Sequence, residues 1–518
     1  MKNIVKQLVY SCIMILPSVL LAQDRQEIQP SLNQIKIFES LFVSQMHSSL
    51  LDKQEFKVYN DLNFLFDSQK GDFSRKQQGS QTTLYGVSSQ GTKKWDKIYL
   101  KGNFNYNRIK QENVKFNASI LDPFRGMPFI VADTNSSRWN KQQIDFNAQG
   151  VLKVSNKMSL GLFTGFEVYS GAKQRDIRSE NYRYKLQINP SLSYHLTNNS
   201  SISAELNYVS FKEESSNSNT NTYIDQPYYE LYGLGHHIKA IGSGRTTNYF
   251  GNTLGTGINY LYKQKGYWLL FYGKTDLQVE DVEISFSIPK KDGTVKSREN
   301  KLGVFLGNTM DRYQSKVQLE YSNTNRKAIE YISLYDSNID NLGWDVKGQF
   351  VFSSYKMDRI DLGVDYLTKE STTGDFINWF TIKLSYLNQK DKYLATGSKF
   401  YNSSGVGEFK YQRNLSVLRK KGELIASMGL KYKHSFSSDY KYNGGYPSSL
   451  VVTELMQNEL QYIDSSYWRI APEIIYSLKL DKNTSSIFYL KASYNYLKTN
   501  NKKLNTYSGL QFNVGFTF

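Results

Sequence analysis

The sequence predicts an all-β fold: a transmembrane antiparallel up-and-down β-barrel of about 18 strands (range about 14–20) with long extracellular loops. Three observations predict it. Apolar and polar residues alternate with period two over roughly ten residues at a time, the length that a tilted membrane strand needs. The polar connections between these runs alternate short and long. The chain ends in an alternating apolar strand whose last residue is Phe518.

Composition agrees. A chain of 518 residues is too long for one small water-soluble core, but a many-stranded barrel shares a wall rather than a core. With 40 Tyr and 29 Phe it is rich in aromatics, yet its mean hydropathy is negative. Membrane strands bury only every second residue, so a low average is no argument against a membrane. Beyond the N-terminus no stretch approaches the ~18 consecutive apolar residues of a spanning helix.

Residues 1–22 read as a secretory signal peptide: Lys2 and Lys6 precede the apolar stretch Leu8 to Leu21, and Ala22 is the expected last residue removed. Cys12, the single cysteine, lies inside this leader, so the mature chain has neither disulfides nor thiolate metal sites. Apolar residues continue after Cys12 instead of preceding it, which argues against lipidation. Residues 23–55 are expected as a periplasmic or lumenal segment, and 56–518 as the barrel.

The alternation is clearest in 182–196. Tyr182, Tyr184, Leu186, Ile188, Pro190, Leu192, Tyr194 and Leu196 share one face, and Arg183, Lys185, Gln187, Asn189, Ser191, Ser193 and His195 the other. Tyrosines toward both ends and aliphatics between them suit a lipid band between aromatic girdles. Pro190 lacks an N–H, which predicts a bulge or local break. The same pattern places Ile144, Phe146 and Ala148 outward and Asp145 inward, and Glu205 inward from 201–211. Further runs are read at 95–108, 157–169, 249–262, 267–280, 313–325, 359–367, 376–387, 422–436, 467–480 and 485–497. Counting gives 18 strands if the segments 56–66 and 73–89 are not both in the wall and 20 if they are. It gives fewer if the weakly patterned 391–418 is partly loop.

Short polar turns at 197–200, 263–266 and 481–484 contrast with long polar segments at about 109–138, 212–247 and 437–466. That asymmetry is expected of short periplasmic turns and long extracellular loops. A water-soluble antiparallel sheet also alternates, but its strands average ~5–6 residues, and it has no reason to gather its long loops at one end. In the last strand Leu510, Phe512, Val514, Phe516 and Phe518 share a face. Phe512, Phe516 and Phe518 are read as an assembly signal, resembling that of bacterial outer-membrane proteins. The expected location is the bacterial outer membrane.

Formal charge is +17, or +15 without the leader. The basic residues are spread along the chain, which excludes a nucleic-acid patch and points to anionic outer-membrane lipid and lipopolysaccharide. Other expected partners are periplasmic chaperones and the barrel-assembly machinery, and a surface lipoprotein or transporter. The inward charges Arg183, Lys185, Asp145 and Glu205, with Lys101, Lys316, Lys383, Glu320, Asp361, Asp365 and Glu473, need pairing or water.

No cofactor, metal site or catalytic residue is assigned. His236-His237, with Asp225 or Glu230, is a metal candidate, but adjacent side chains rarely converge without a rigid scaffold, and a solvated loop is the ordinary reading. Asp336 to Asn341 resembles the start of a calcium loop but lacks its glycine and ends on Lys347 instead of Glu. His434 beside Ser435 and Asp439 is the one faint hydrolase candidate.

Two loop segments stand out. Asp122-Pro123-Phe124-Arg125-Gly126-Met127-Pro128-Phe129 leads to Asp133-Thr134 and then Trp139-Asn140-Lys141-Gln142; Gly171-Ala172-Lys173-Gln174-Arg175-Asp176 caps another strand pair. Pro and Gly fix the backbone, and Asp122, Arg125, Lys141, Lys173, Gln174, Arg175 and Asp176 can form either a network sealing the mouth or a ligand site. On "DPFRGMPFIVADT", "WNKQ" and "GAKQRD", with the leader ending "LLAQ", the chain resembles a family of Bacteroidota outer-membrane barrels without known function. The resemblance covers most of the mature chain. Such families tend to carry Asp-Pro-Arg where this chain has Asp176-Ile177-Arg178, so that loop is expected to be less rigid. The resemblance implies fold and location and brings no catalytic residues. The functional expectation is a channel or transport-associated barrel for a small solute; the alternative is a non-conducting surface receptor, adhesin or partner subunit of an outer-membrane complex.

Overall fold

The computed structural model describes residues 46–518 apart from 54–57, 127, 222, 225, 242–243, 286–287, 338–342, 371–375, 416–421 and 481–485. The predicted leader at 1–22, most of the 23–55 segment, Asp225, the centre of the 336–341 acidic turn and the 481–484 turn lie outside the described residues.

In chain order the strands begin with β1 (Asn60–Gly71), β2 (Gln81–Lys94), β3 (Ile98–Val114) and the short β4 (Ile130–Asp133). Next come β5 (Ser137–Lys153), β6 (Met158–Lys173), β7 (Arg178–His195) and β8 (Ser200–Ser218). A hairpin, β9 (Pro227–Gly233) and β10 (His236–Ile241), precedes β11 (Gly244–Gln264). Then follow β12 (Tyr267–Ser285), β13 (Lys290–Thr309), β14 (Tyr313–Asp336) and β15 (Gly343–Lys369). After β16 (Phe376–Tyr393), β17 (Ser398–Asn414) and β18 (Gly422–Lys441), a π-helical turn (Val451–Met456) runs into the helix α1 (Gln457–Asp464). The last strands are β19 (Tyr467–Lys479), β20 (Ile487–Thr499) and β21 (Thr506–Thr517).

Eighteen of these strands form one closed antiparallel sheet, each paired with the next wall strand and β21 paired with β1. The other three, in the order β10-β9-β4, form a separate small sheet. Closure follows from the strands themselves: an open edge in lipid would leave a row of unpaired N–H and C=O groups. The seam runs from Asp61↔Thr517 to Gly71↔Tyr507, and beyond it Asn60 and Phe518 exchange both backbone hydrogen bonds, at 2.8 and 2.9 Å. Inside, the buried Asp61 accepts from Thr517 Oγ1 (3.1 Å) and Tyr489 Oη (3.2 Å), tying the first strand to the last two.

The strand total agrees with the expectation, but its make-up differs. Both β1 and β2 are in the wall, and 398–414, in the weakly patterned region, is a full strand. The stretch between the runs 313–325 and 359–367 adds no extra pair of strands, because β14 and β15 simply run on for 24 and 27 residues. Pro190 breaks the ladder without a bulge. Leu162↔Pro190 keeps register with β6, whereas the pairing of β7 to β8 skips from Ile188↔Tyr208 to Ser191↔Glu205 in unchanged register. The predicted 263–266 turn is a tight hairpin, with Lys265 and Gly266 at φ 49° and 81°.

Along a belt around the wall alternate residues present apolar side chains outward, as in β7 from Tyr182 to Tyr194. The three long connections, 115–136, 219–243 and 442–466, all leave the same end of the barrel, and the predicted turns at 197–200 and 263–266 lie at the other. The 212–247 segment is not simply a polar loop: β8 continues to Ser218, and β9 and β10 fold inward. Among the described residues no helix is long and apolar enough to cross a membrane.

The lumen is filled at both ends. At the short-turn end a 3₁₀ turn (Ser48–Lys53) lies on the inner face of β5 to β8. There Ser49 N donates to Ser191 Oγ (3.0 Å), and Asp52 meets His195 Nε2 (3.0 Å). Leu50 is enclosed by Leu261, Trp268, Leu270, Tyr272 and Phe305. These inward apolar residues break the rule of a polar lumen because they receive a piece of chain rather than water.

At the seam, a Cβ on Gly515 would sit 2.2 Å from Cζ of the buried Tyr489 ring. Gly515→Leu is predicted to abolish the compact, heat-modifiable form of the barrel on gels. Gly102→Leu, whose Cβ meets nothing within 4 Å, should retain it.

Candidate functional site

The long-loop end is where the chain concentrates buried charge. The connection after β3 dips into the lumen, forms β4 against β9 (Ile130↔Leu231 to Asp133↔Tyr228) and returns to the wall. The 451–464 helical segment covers this sheet. Phe116, Ile130, Ala132, Tyr229, Leu231, Val451 and Leu455 make a core that belongs wholly to the loops. A second cluster joins the plug to the wall: Leu121, Phe129 and Tyr232 pack on Tyr249, Val282, Val295, Ala328 and Phe352. Phe129 is fully buried with φ 65°, a backbone conformation that a bulky residue seldom adopts. Its ring lies where a Cβ on Gly293 would be, 2.0 Å from Cζ, so the wall glycine is the socket for the plug's phenylalanine.

Apolar packing holds the plug, and paired charges fix its orientation. Asp133 of β4 meets Lys173 of the wall at 2.6 Å with both side chains buried. Glu230 of β9 meets Arg245 of β11 at 2.9 Å, with Asp292 at 3.9 Å from the same guanidinium. Arg125 reaches Glu280 of β12 at 2.9 Å. Glu213 of β8 accepts from Ser119 Oγ (2.6 Å), Ile120 N (3.1 Å) and Asn181 Nδ2 (3.3 Å). Around the rim, Arg75 binds Glu459 at 2.5 Å and lies 3.8 Å above the Phe124 ring; Lys115 binds Glu454 at 2.5 Å.

Burial dominates the titration of the plug carboxyls. It raises Asp133, against the pull of Lys173. It raises Glu230 to about 8, with Arg245 opposing and Asp292 adding to the rise. Glu459 is likewise raised by burial and held down by Arg75. A protonated Glu230 can donate to Asp292, which gives a partner to carboxyl oxygens that otherwise lack one.

The residues singled out by sequence separate into several environments. Arg125 and Lys173 are wall contacts of the plug. Lys141 is buried, with its ammonium 5.2 Å from the Trp139 ring. Asp122 accepts from Phe124 N (2.9 Å) and stiffens its own loop. Asp176 accepts from Thr220 Oγ1 (2.9 Å), Asn221 N (3.0 Å) and Arg178 Nε (3.1 Å). Arg175 donates to Ser136 O (3.0 Å), and Gln174 is exposed. On the inner wall, Arg183 lies 3.3 Å from Glu167, which Gln143 also reaches (3.3 Å), and Asn189 donates to Glu205 (3.2 Å). Lys185 and Asp145 stand on the same inner face. Glu213, Arg245 and Glu280 were missed by sequence. Glu213 and Arg245 lie past the alternating runs and Glu280 closes one of them, so the available signal was a charge recurring at inward positions near the end of an apolar run.

A cleft of about 180 Å³ opens between plug and wall, lined by Arg75, Phe124, Tyr355, Phe400 and Glu459 together with the Gly233–Gly235 turn. None of the seven candidates from Asp122 to Asp176 lines it, although Pro123, Phe124, Gly126 and Pro128 of the same loop do. His236 is buried beside a smaller pocket of about 140 Å³, not solvated. Among the described residues no group of three or more His, Cys, Asp or Glu converges as a metal site. His434 is within 3.5 Å of Ser466 Oγ and Tyr432 Oη on an exposed edge.

Residues 48–518 match the family described as "Family of unknown function (DUF6850)". No curated protein matches the sequence. Solved structures similar to this one include BauA, the ferric preacinetobactin receptor from Acinetobacter baumannii (7% identity, 90% of this chain, 80% of that one, TM-score 0.38). Others are the ferric citrate transporter FecA (8%, 89% and 78%, TM-score 0.40) and the FrpB iron transporter from Neisseria meningitidis (10%, 91% and 83%, TM-score 0.37). At such identity and TM-scores these likenesses say nothing of a ligand.

The Asp133–Lys173 pair gives a direct test of the plug's attachment. Lys173→Met strands a buried carboxylate and is predicted to cost about 3–5 kcal/mol of plug docking, whereas Asp133→Asn with Lys173→Met should cost clearly less. Protease cleavage within 115–135 of the assembled barrel, compared across the single and double variants, measures this order.

Proposed function

We propose that this chain, which belongs to that family of unknown function, is a transport-associated barrel of the bacterial outer membrane, closed at rest by its own loops. It takes a small solute at its long-loop mouth instead of passing solutes by free diffusion. A single observation carries this reading: a wall of 18 strands, wide enough for an aqueous channel, is occupied by a plug with its own core and buried ion pairs to the wall. Outward-facing Leu, Ile, Phe and Tyr around the wall support the membrane location, because so large an apolar belt would not face water. The 180 Å³ cleft offers the solute aromatic faces, a guanidinium and carboxylates. Uptake then requires the plug to move, and the ion pairs set how much energy that takes.

The alternative, a partner subunit of an outer-membrane complex, is favoured by one feature. Among the described residues the ladders of Tyr331–Tyr335 and Gly343–Phe350, at the tips of β14 and β15, run only between these two strands, and they expose Ile332, Leu334, Tyr335, Val346 and Phe350. Such a ribbon has free edges and apolar side chains for another protein.

In planar bilayers the wild-type barrel is expected to show no steady conductance. A variant lacking 451–464, which uncovers the plug sheet, should conduct. Steady ohmic current from the wild type would exclude a barrel closed at rest.

A further inference from the structure

The 140 Å³ pocket behind the β9–β10 hairpin has a composition unlike the rest of the mouth. Tyr232, Tyr393, Tyr442 and Tyr446 wall it, with His236 and His237 between them and Glu330 as its carboxylate. The rings form a continuous lining. His236 stacks on Tyr393 with centroids 3.7 Å apart and lies 5.1 Å from Tyr442, and His237 is 6.0 Å from Tyr446.

Glu330 is the pocket's one carboxyl; burial and the nearby Asp292 raise its pKa, against the pull of Lys290. His236 supplies no countercharge. His236 Nε2 is engaged by Ser398 Oγ (2.8 Å) and Thr396 Oγ1 (3.1 Å), and burial and His237 lower its pKa to about 4, so it is neutral at pH 7. His237 Nδ1 donates to Gly235 O (3.0 Å). Among the described residues no Lys or Arg nitrogen forms a salt bridge with Glu330. The neighbouring Lys290 is turned to Asp292 (3.5 Å) and to the Trp344 ring (5.5 Å).

We propose that this pocket binds a small organic cation, a quaternary or alkyl ammonium group, held by the faces of the tyrosines and by the Glu330 carboxylate. Aromatic faces attract a weakly hydrated cation through their quadrupoles, and the attraction grows as water is excluded. An ammonium head can sit directly on the Glu330 carboxylate, where no salt bridge among the described residues does, whereas an anion would meet both the carboxylate and the negative ring faces. The size agrees, since a cavity of about 150 Å³ admits a benzene-sized molecule. The inference requires neither movement of the plug nor conductance, because the pocket is complete with the loops in place.

Titration calorimetry of the detergent-solubilised barrel with choline, and with its neutral isostere 3,3-dimethylbutan-1-ol, tests it. Choline should bind at least tenfold more tightly than the isostere, and Glu330→Gln should erase most of that preference. Tyr446→Ala, at a largely exposed side chain that assembly does not need, should weaken choline severalfold and serves if Glu330→Gln fails to assemble. Equal binding of the two probes, no binding of choline at millimolar concentration, or choline binding unchanged in Tyr446→Ala would each overturn the proposal.

Discussion

A closed sheet of 18 strands encloses more volume than its own inward side chains can fill. In lipid such a sheet has to close, because every backbone N–H and C=O there needs a partner within the wall. Closure then leaves a wide interior whose contents the chain must supply. At the short-turn end a single turn around Leu50 does so, in a socket of inward aromatic and aliphatic residues. At the long-loop end three connections collapse into a small domain with its own sheet, helix and core.

Filling a lumen with chain raises the problem of charge. The wall needs polar inward residues, and a plug seated on them buries carboxylates and ammonium groups in a low-dielectric space. Each charge is tolerated only with its partner: Asp133 with Lys173, Arg125 with Glu280, and Arg245 with the Glu230–Asp292 pair. Such pairs add little net stability, but they specify position, since a displaced plug leaves several charges unpaired at once. Phe129 in the socket over Gly293 contributes the complementary apolar fit.

The wall was legible in the sequence along the apolar belt, where the period of two holds, and illegible where the belt ends. Past the apolar belt, in Lys212 to Ser218, both faces are polar and the alternation vanishes, although the hydrogen-bond ladder of β8 continues. The long tips of β14 and β15 were missed for the same reason. Inside the plug the opposite holds. Ile130-Val131-Ala132 is buried on every side, so a run that forms a strand shows no alternation. The loop residues Arg125 and Lys173 were recognisable as charged groups on stiffened backbone. Their partners Glu280 and Asp133 could not be assigned, because the pairings span 155 and 40 residues and depend on a folding of the loops that no local pattern encodes.

The single cysteine of the chain, Cys12, lies in the predicted leader, which makes thiol accessibility a clean probe of the closed lumen. Ala118→Cys places a thiol in the plug, at a side chain 1% exposed, and Tyr223→Cys places one on a side chain 96% exposed. With a membrane-impermeant maleimide applied to assembled barrels in intact outer membranes, Tyr223→Cys should label rapidly and Ala118→Cys should not label until the barrel is denatured. Comparable labelling rates at the two positions would show that the loops leave the lumen open and would contradict a barrel closed at rest.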